Sequence, residues 1–317
     1  MKRILVVGSA NMDLVMHTTR LPRAGETLTG GRFMTARGGK GANQAVAAAR
    51  LGADVKFCAC LGTDAFGIQH RESLAAESIC LDTLKLDPEL PTGTAMILIT
   101  ESGENTIVVA PGANNALLPE DIAPLEDDFR NADAVICQLE IPLETVEAVL
   151  QLARKHNAFT VLDTGPARPL SPAFLRMADI VSPNESEAET LTGIHVDSLE
   201  SARSAARALL AMGATHVVMK LGARGCLYLA EQELYQPGFQ VKTIDTTGAG
   251  DAFTAALGLA WDSLPLEKAL MFANAAGALA TTVSGAQPSM PDITSVNAFL
   301  QEREGFSFMR NTKLGQP

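Results

Sequence analysis

Short, uninterrupted apolar runs recur along this chain, and they constrain its fold class more than any other feature. The first, from Ile4 to Val7, offers no polar face to water, so a strand built from it must be covered on both sides. From about residue 132, similar runs alternate with stretches of helical period. Strands are expected at 134–138, 159–163, 180–182 and 216–220, with helices at about 144–156, 186–192 and 199–212. Helices at about 251–261, 266–283 and 292–303 follow. This alternation predicts a mostly parallel sheet with right-handed crossovers. A chain of 317 residues with 47% hydrophobic residues can supply the core that such a sheet needs.

Two stretches break the rhythm. Residues of about 14–37 alternate only weakly and carry Pro22 and Gly25. Residues 94–100 and 105–109 are strand-like runs separated by Glu101, Ser102, Gly103 and Glu104, a hairpin signal. Together they predict a small antiparallel sheet, a lid over about 14–37 and 92–110. One domain is expected over residues 1–304, with 305–317 as a polar C-terminal tail.

The net charge of −11 and the 5% aromatic content speak against nucleic acid or an anionic membrane as partners. The N-terminal apolar run stops at Gly8, with Asp13 soon after, as suits a core strand rather than a secretion signal. Five cysteines (Cys58, Cys60, Cys80, Cys137 and Cys226) are odd in number and lack C-x-x-C spacing. Free thiols in a cytoplasmic protein are therefore expected. The sequence contains no G-x-x-x-x-G-K-[ST], no H-E-x-x-H and no G-x-S-x-G, and no G-x-G-x-x-G follows the first strand.

Polar residues nevertheless gather at the ends of several expected strands. Asn11 and Asp13 follow the first; Gly39, Lys40 and Asn43 open an alanine-rich helix that ends at Gly52. Glu140 follows 134–138, Asn184 and Glu187 follow 180–182, and Gly222 to Gly225 follow 216–220. In open α/β sheets, ligands bind along that edge. A further strand is expected at 240–244, leading into Asp245-Thr246-Thr247-Gly248-Ala249-Gly250-Asp251 and then a helix carrying Phe253, Leu257 and Ala260. Glycines let neighbouring N–H groups converge, and a helix N-terminus adds positive potential, which suits an anion. A carboxylate beside that anion could act as a base. Taken alone, these seven residues read equally well as an ordinary turn before a helix.

Gly38-Gly39-Lys40-Gly41-Ala42-Asn43-Gln44-Ala45 and Asp245-Thr246-Thr247-Gly248-Ala249-Gly250-Asp251-Ala252-Phe253 resemble the two signature motifs of the PfkB carbohydrate kinases. The likeness extends through Pro22 to Thr27, Gln138-Leu139-Glu140, Pro183 to Glu189 and Gly285 to Ser289. It implies a three-layer α/β/α fold with a mostly parallel central sheet and a small antiparallel β lid. It also implies transfer of a phosphoryl group from ATP to the 5-hydroxyl of a pentose, with ribose ahead of deoxyribose or a nucleoside. A silent sugar-binding regulator on the same fold is the rival from another class, and the intact Asp251 and glycine loop stand against it.

By this resemblance Asp251 is the general base, and the N–H groups of Gly248, Ala249 and Gly250 form the anion hole. Asn11, Asp13, Gly39, Lys40, Gly41, Ala42, Asn43 and Glu140 hold the sugar. Asn184 and Glu187 serve the nucleotide and Mg²⁺, the latter through water, as that ion prefers. The nucleotide lies along Lys220, Leu221, Gly222, Ala223, Arg224 and Gly225, beside Gly250 and Asn274. A K⁺ ion sits by Asp245 and Thr247, with oxygens from near Ala280, Val283, Gly285 and Ser289. The partners implied are a sugar, ATP and a second copy docked through the lid, where Ile97 and Val108 supply contacts unless they cover the protein's own core. Three positions depart from the family pattern. Asp163-Thr164-Gly165-Pro166-Ala167 replaces the frequent Asn-Pro-Ala-Pro, Lys220 stands where threonine is common, and Asn274 stands where histidine often lies near the adenine.

Overall fold

The structure is a computed structural model and describes residues 1–102 and 104–308. In chain order the strands are β1 (Arg3–Val7), β2 (Asn11–Thr18), β3 (Phe33–Gly38), β4 (Asp54–Cys58), β5 (Cys60–Gly62), β6 (Lys85–Asp87) and β7 (Gly93–Thr100). They continue as β8 (Asn105–Ala110), β9 (Ala134–Cys137), β10 (Phe159–Asp163), β11 (Ile180–Ser182), β12 (His216–Lys220), β13 (Gly225–Leu229) and β14 (Glu233–Pro237). The large sheet runs in the order β14-β13-β12-β11-β10-β9-β1-β4. It is parallel from β12 to β4 and antiparallel only at the β12–β13–β14 edge.

Period-two alternation divides the core as an uninterrupted apolar strand requires. Ile4, Val6, Ile136 and Val161 point to one side, against helices Lys40–Arg50, Ala249–Ala260 and Leu266–Ala280. Leu5, Val7, Val135 and Leu162 point to the other, against helices Leu143–Lys155 and Leu199–Ala211. The result is three layers, with helices on both faces of the sheet.

The small sheet is β3-β2-β7-β8, made of two antiparallel pairs joined through parallel pairing of β2 with β7. Thr100 N–H donates to the Glu104 carbonyl (2.9 Å) and closes the β7–β8 turn, whose Gly103 lies outside the described residues. Among the described residues no helix is long and apolar enough to cross a membrane.

The strand expected at 240–244 is absent. That segment runs over the surface, with Ile244 62% exposed, and the N–H groups of Ile244 and Asp245 turn to the carbonyl of Thr281 (2.8 and 3.2 Å). The edge it would have joined is already occupied by the β13–β14 hairpin, which the sequence reading passed over. The tail also differs from expectation where it is described. Phe306 and Phe308 pack against the core, and Phe308 stacks on Phe272 with ring centroids 4.7 Å apart. The remainder of the tail, 309–317, lies outside the described residues.

Candidate active site

The alanine-rich helix begins where β3 ends, at Gly39, whose positive φ of 86° suits glycine. Lys40, Asn43 and Gln44 stand at i, i+3 and i+4, so they share one face of its first turn. That face meets the start of helix Ala249–Ala260, where Gly248 (φ 80°) is the N-cap and Asp251 lies three residues in. Asn43 Nδ2 donates to one Asp251 carboxylate oxygen (2.9 Å) and Gln44 Nε2 to the other (3.0 Å). Gln138 donates to Gln44 Oε1 (2.6 Å), which fixes the Gln44 amide with its N–H groups toward the carboxylates. Asp251 is 6% exposed, and burial pushes its carboxyl up to about 6, with Lys40 pulling the other way and Asp163 adding to the rise.

On the same side Glu140 accepts the Lys40 backbone N–H (3.0 Å) and the Ser9 hydroxyl (2.5 Å). Asp13, on β2, is pushed up to about 7 by burial and by the nearby Glu140 and Asp251. Asn11 Oδ1 accepts from Asn114 Nδ2 (2.7 Å), and Asn114 in turn accepts the Ala10 N–H (2.9 Å). Asn43 Oδ1 is a buried acceptor with no donor among the described residues, a position open to a ligand hydroxyl. Three carboxylates and several amides thus surround the start of the helix. Gly41 and Ala42 are buried beneath them and contribute close packing, because backbone atoms of Gly8 and Ser9 lie within 2.8 Å of a Cβ placed on Gly41.

A cavity of about 470 Å³ opens from Lys40 past Gly250, Lys220, Gly222, Ala223 and Gly225 to Phe253 and Asn274, with Asn184 and Glu187 on its wall. That volume suits a nucleotide-sized ligand. Two expected contributors do not line it. Leu221 is 1% exposed in the core, and Arg224 bonds to the Asp197 carbonyl (2.6 Å) and Glu185 (3.3 Å). Asn274 Nδ2 is held by the carbonyls of Gln236 and Pro237 (3.2 and 3.3 Å). Of the three N–H groups expected to form the anion hollow, those of Gly248, Ala249 and Gly250, one is taken. The Ala249 N–H is taken by the Thr246 carbonyl (3.2 Å), whereas those of Gly250 and Asp251 have no acceptor among the described residues.

Asn184 and Glu187 form a capping box on helix Glu185–Thr192. Glu187 Oε2 accepts the Asn184 N–H (2.9 Å) and the Thr164 hydroxyl (3.2 Å), and Glu187 Oε1 accepts from Asn184 Nδ2 (3.1 Å). No group of three or more His, Cys, Asp or Glu side chains among the described residues is arranged to hold a metal. Asp245 Oδ1 accepts the Thr247 N–H and hydroxyl (2.9 and 2.7 Å), and Oδ2 accepts the Gly285 N–H (2.8 Å). Ser289 donates its hydroxyl to the Ala286 carbonyl, and Val283 is 45% exposed. Asp245, Thr247 and Gly285 are therefore brought into contact, while no bond joins Ala280, Val283 or Ser289 to them.

Residues 1–293 match the family described as pfkB family carbohydrate kinase. The chain belongs to that family. Among PfkB relatives, the ribokinase of Haemophilus influenzae is 39% identical over 302 residues, which are 95% of this chain and 99% of that protein. The deoxyribokinase of Salmonella typhi is 36% identical over 304 residues, again 95% and 99% of the two chains. The structure of Arabidopsis thaliana ribokinase complexed with ribose and ATP superposes with a TM-score of 0.87 at 35% identity, covering 95% of this chain and 98% of that one. The fold expected from the PfkB resemblance is the fold found, and the protein is a carbohydrate kinase.

Sequence reasoning overlooked Gln44 and Asp163 as members of the hydrogen-bonded cluster around Asp251. Gln44 stood inside the first motif, one residue beyond those assigned. Asp163 was noticed only as a departure from the family pattern. It is fully buried and accepts from Gln44 Nε2 (3.2 Å), Lys220 Nζ (2.8 Å), Thr254 Oγ1 (3.0 Å) and the Gly165 N–H (3.1 Å). Burial acts to raise its carboxyl, but Lys220 and Lys40 outweigh that and hold it down at about 2. A lone aspartate at the end of a strand carries no sequence sign of this convergence.

Proposed function

We propose that the protein transfers the γ-phosphoryl group of ATP to the 5-hydroxyl of D-ribose. The observation that carries this is the Asp251 carboxylate, held by Asn43 and Gln44 at a helix start whose Gly250, with its N–H open, lines the nucleotide-sized cavity. The sugar lies against Asn11, Asp13, Gly39, Lys40, Asn43 and Glu140. As the ribose oxygen bonds to the γ-phosphorus, its proton passes to Asp251 and the bond to the β–γ bridging oxygen breaks, giving ribose 5-phosphate and ADP. Charge developing on the phosphoryl oxygens is met by the N–H groups of Gly250 and Asp251. Phosphoryl transfer is chiefly a matter of positioning and electrostatics, and this arrangement supplies both.

Mg²⁺ fits as an ion carried by the nucleotide, since three protein donors already occupy the Glu187 carboxylate, which favours contact through water. When bound, it neutralises charge on the phosphates. The oxygens at Asp245, Thr247, Ser289 and the 280–285 carbonyls have the hard chemistry that suits K⁺, and that ion would steady the loop preceding Gly248. A second copy docked through the lid, and a reducing cytoplasmic setting for the five free thiols, complete the proposal. Deoxyribose is the alternative substrate, because a relative named for it is nearly as similar.

The test is ADP release by the purified protein with ribose, 2-deoxyribose, other pentoses and nucleosides, in K⁺ and in Na⁺ buffers. The highest kcat/KM is expected with ribose in K⁺. A preference for 2-deoxyribose would reassign the substrate, and no release with any of these acceptors would remove the proposal.

A further inference from the structure

Two of the three departures from the family pattern are one structural feature. Asp163, at the end of β10, and Lys220, at the end of β12, are partners at 2.8 Å, and both are buried (0% and 8% exposed). An ammonium has three N–H bonds. Asp163 takes one from Lys220, and no second acceptor meets that nitrogen among the described residues. Lys220 also lines the cavity, with its Nζ 3.8 Å from the place a Cβ on Gly250 would occupy. Its spare donors therefore stand beside Gly250, whose N–H is open.

The buried acceptor does more than anchor this lysine. One Asp163 oxygen receives both Lys220 and Gln44, and the same Gln44 nitrogen reaches Asp251. Lys40 approaches the other Asp163 oxygen at 3.8 Å and Glu187 at 3.9 Å. Lys40 is thus shared between Asp163 and Glu187, whereas Lys220 has Asp163 as its single carboxylate partner among the described residues, and its nitrogen adjoins the Gly250 hollow.

We infer that Lys220 is a catalytic residue for the phosphoryl transfer, its ammonium contacting the γ-phosphoryl oxygens of a nucleoside triphosphate while Asp163 fixes its position. The inference rests on the kinase function proposed above and adds a donor to it. As the bond from phosphorus to the β–γ bridging oxygen breaks and the sugar oxygen bonds to phosphorus, negative charge shifts along the axis. Lys220 stabilises it without giving up its proton, and the hydroxyl proton still passes to Asp251. The alternative role for Lys220 is to neutralise Asp163 and nothing more.

Removing both charges together separates the two roles, using Asp163→Asn/Lys220→Thr with Lys220→Met as the companion. Thermal melts establish folding, and kinetics are run at saturating sugar. The expected double variant is folded, keeps its KM for ribose within about threefold, and loses kcat by ~10²–10³-fold, the range for one preorganised donor at a developing charge. Calorimetric titration is expected to show ADP affinity within about threefold of wild type, and affinity for a non-hydrolysable triphosphate about tenfold or more weaker. A double variant with kcat within about threefold of wild type would overturn the proposal, because Lys220 then serves only to neutralise its partner. Failure of both variants to fold would overturn it too, assigning the pair to stability. If wild type shows no turnover, the kinase function falls on its own, and the contrast between diphosphate and triphosphate binding still judges Lys220.

Discussion

The carboxylate of Asp251 shows how much chemistry depends on what surrounds one side chain. Burial raises it to about 6, so it is ionised at neutral pH yet basic enough for the proton transfer proposed for it. A base with a raised value works above it and fails below it. The acid limb of kcat/KM is therefore expected near pH 6, with activity falling as pH drops through that value. Asp251→Asn is expected to lower kcat by ~10²–10⁴-fold while sugar affinity stays close to wild type. A variant turning over at a comparable rate would take Asp251 out of this role. Gly250 makes a complementary case, because the fold alone does not require it. A Cβ there would meet nothing closer than the Lys220 side chain at 3.8 Å. Gly250→Ala is expected to melt no lower than wild type, with up to ~1 kcal/mol gained from helix propensity, yet to lose ~10²-fold in kcat as the methyl enters the anion hollow. Unchanged turnover would place the phosphoryl group elsewhere.

Among the elements, helix Glu185–Thr192 owes its start to the same residues that border the cavity. Asn184→Ala breaks the capping box and is expected to cost about 1 kcal/mol of stability, while Asn184→Ser keeps an uncharged cap acceptor and costs less. If Asn184 also serves the nucleotide, both variants weaken MgATP binding, measurable by titration calorimetry. If it is only a cap, Asn184→Ser binds like wild type. These helix starts were legible in the sequence because glycines and short polar residues mark them locally, as at Gly39, Asn184 and Gly248. The strand expected at 240–244 was misread because alternation is local while a strand also needs a partner, and β14 had taken that edge. Gln44 and Asp163 were hidden for a related reason. Their importance arises from contacts between segments 119 and 207 residues apart in sequence, which no spacing within one motif encodes.

Across the whole molecule, the small sheet leaves apolar surface in water. Met96 and Val108 pair in register on neighbouring strands and are 56% and 65% exposed, and Phe33 adds a third side chain at 55%. Val108 thus covers no core of its own, whereas Ile97 is half-buried. Apolar surface of this kind fits a second copy of the chain. Light scattering is expected to give twice the 33.4 kDa of the monomer, and Met96→Asp/Val108→Asp to give the single mass with an unchanged melting profile. A wild-type monomer would leave this face without a partner. The chain passes between the two sheets at closely packed points. A Cβ on Gly39 would lie 2.6 Å from the Asn11 nitrogen and 2.7 Å from the Ala10 Cα, and Gly93 packs against the amides of Asn11 and Asn114. Because these crossings are bundled together beside Asn11, any swing of the outer sheet against the large one would have its axle there. Such a swing would carry the far tip of the flap a long way and leave the backbone at Asn11 nearly still.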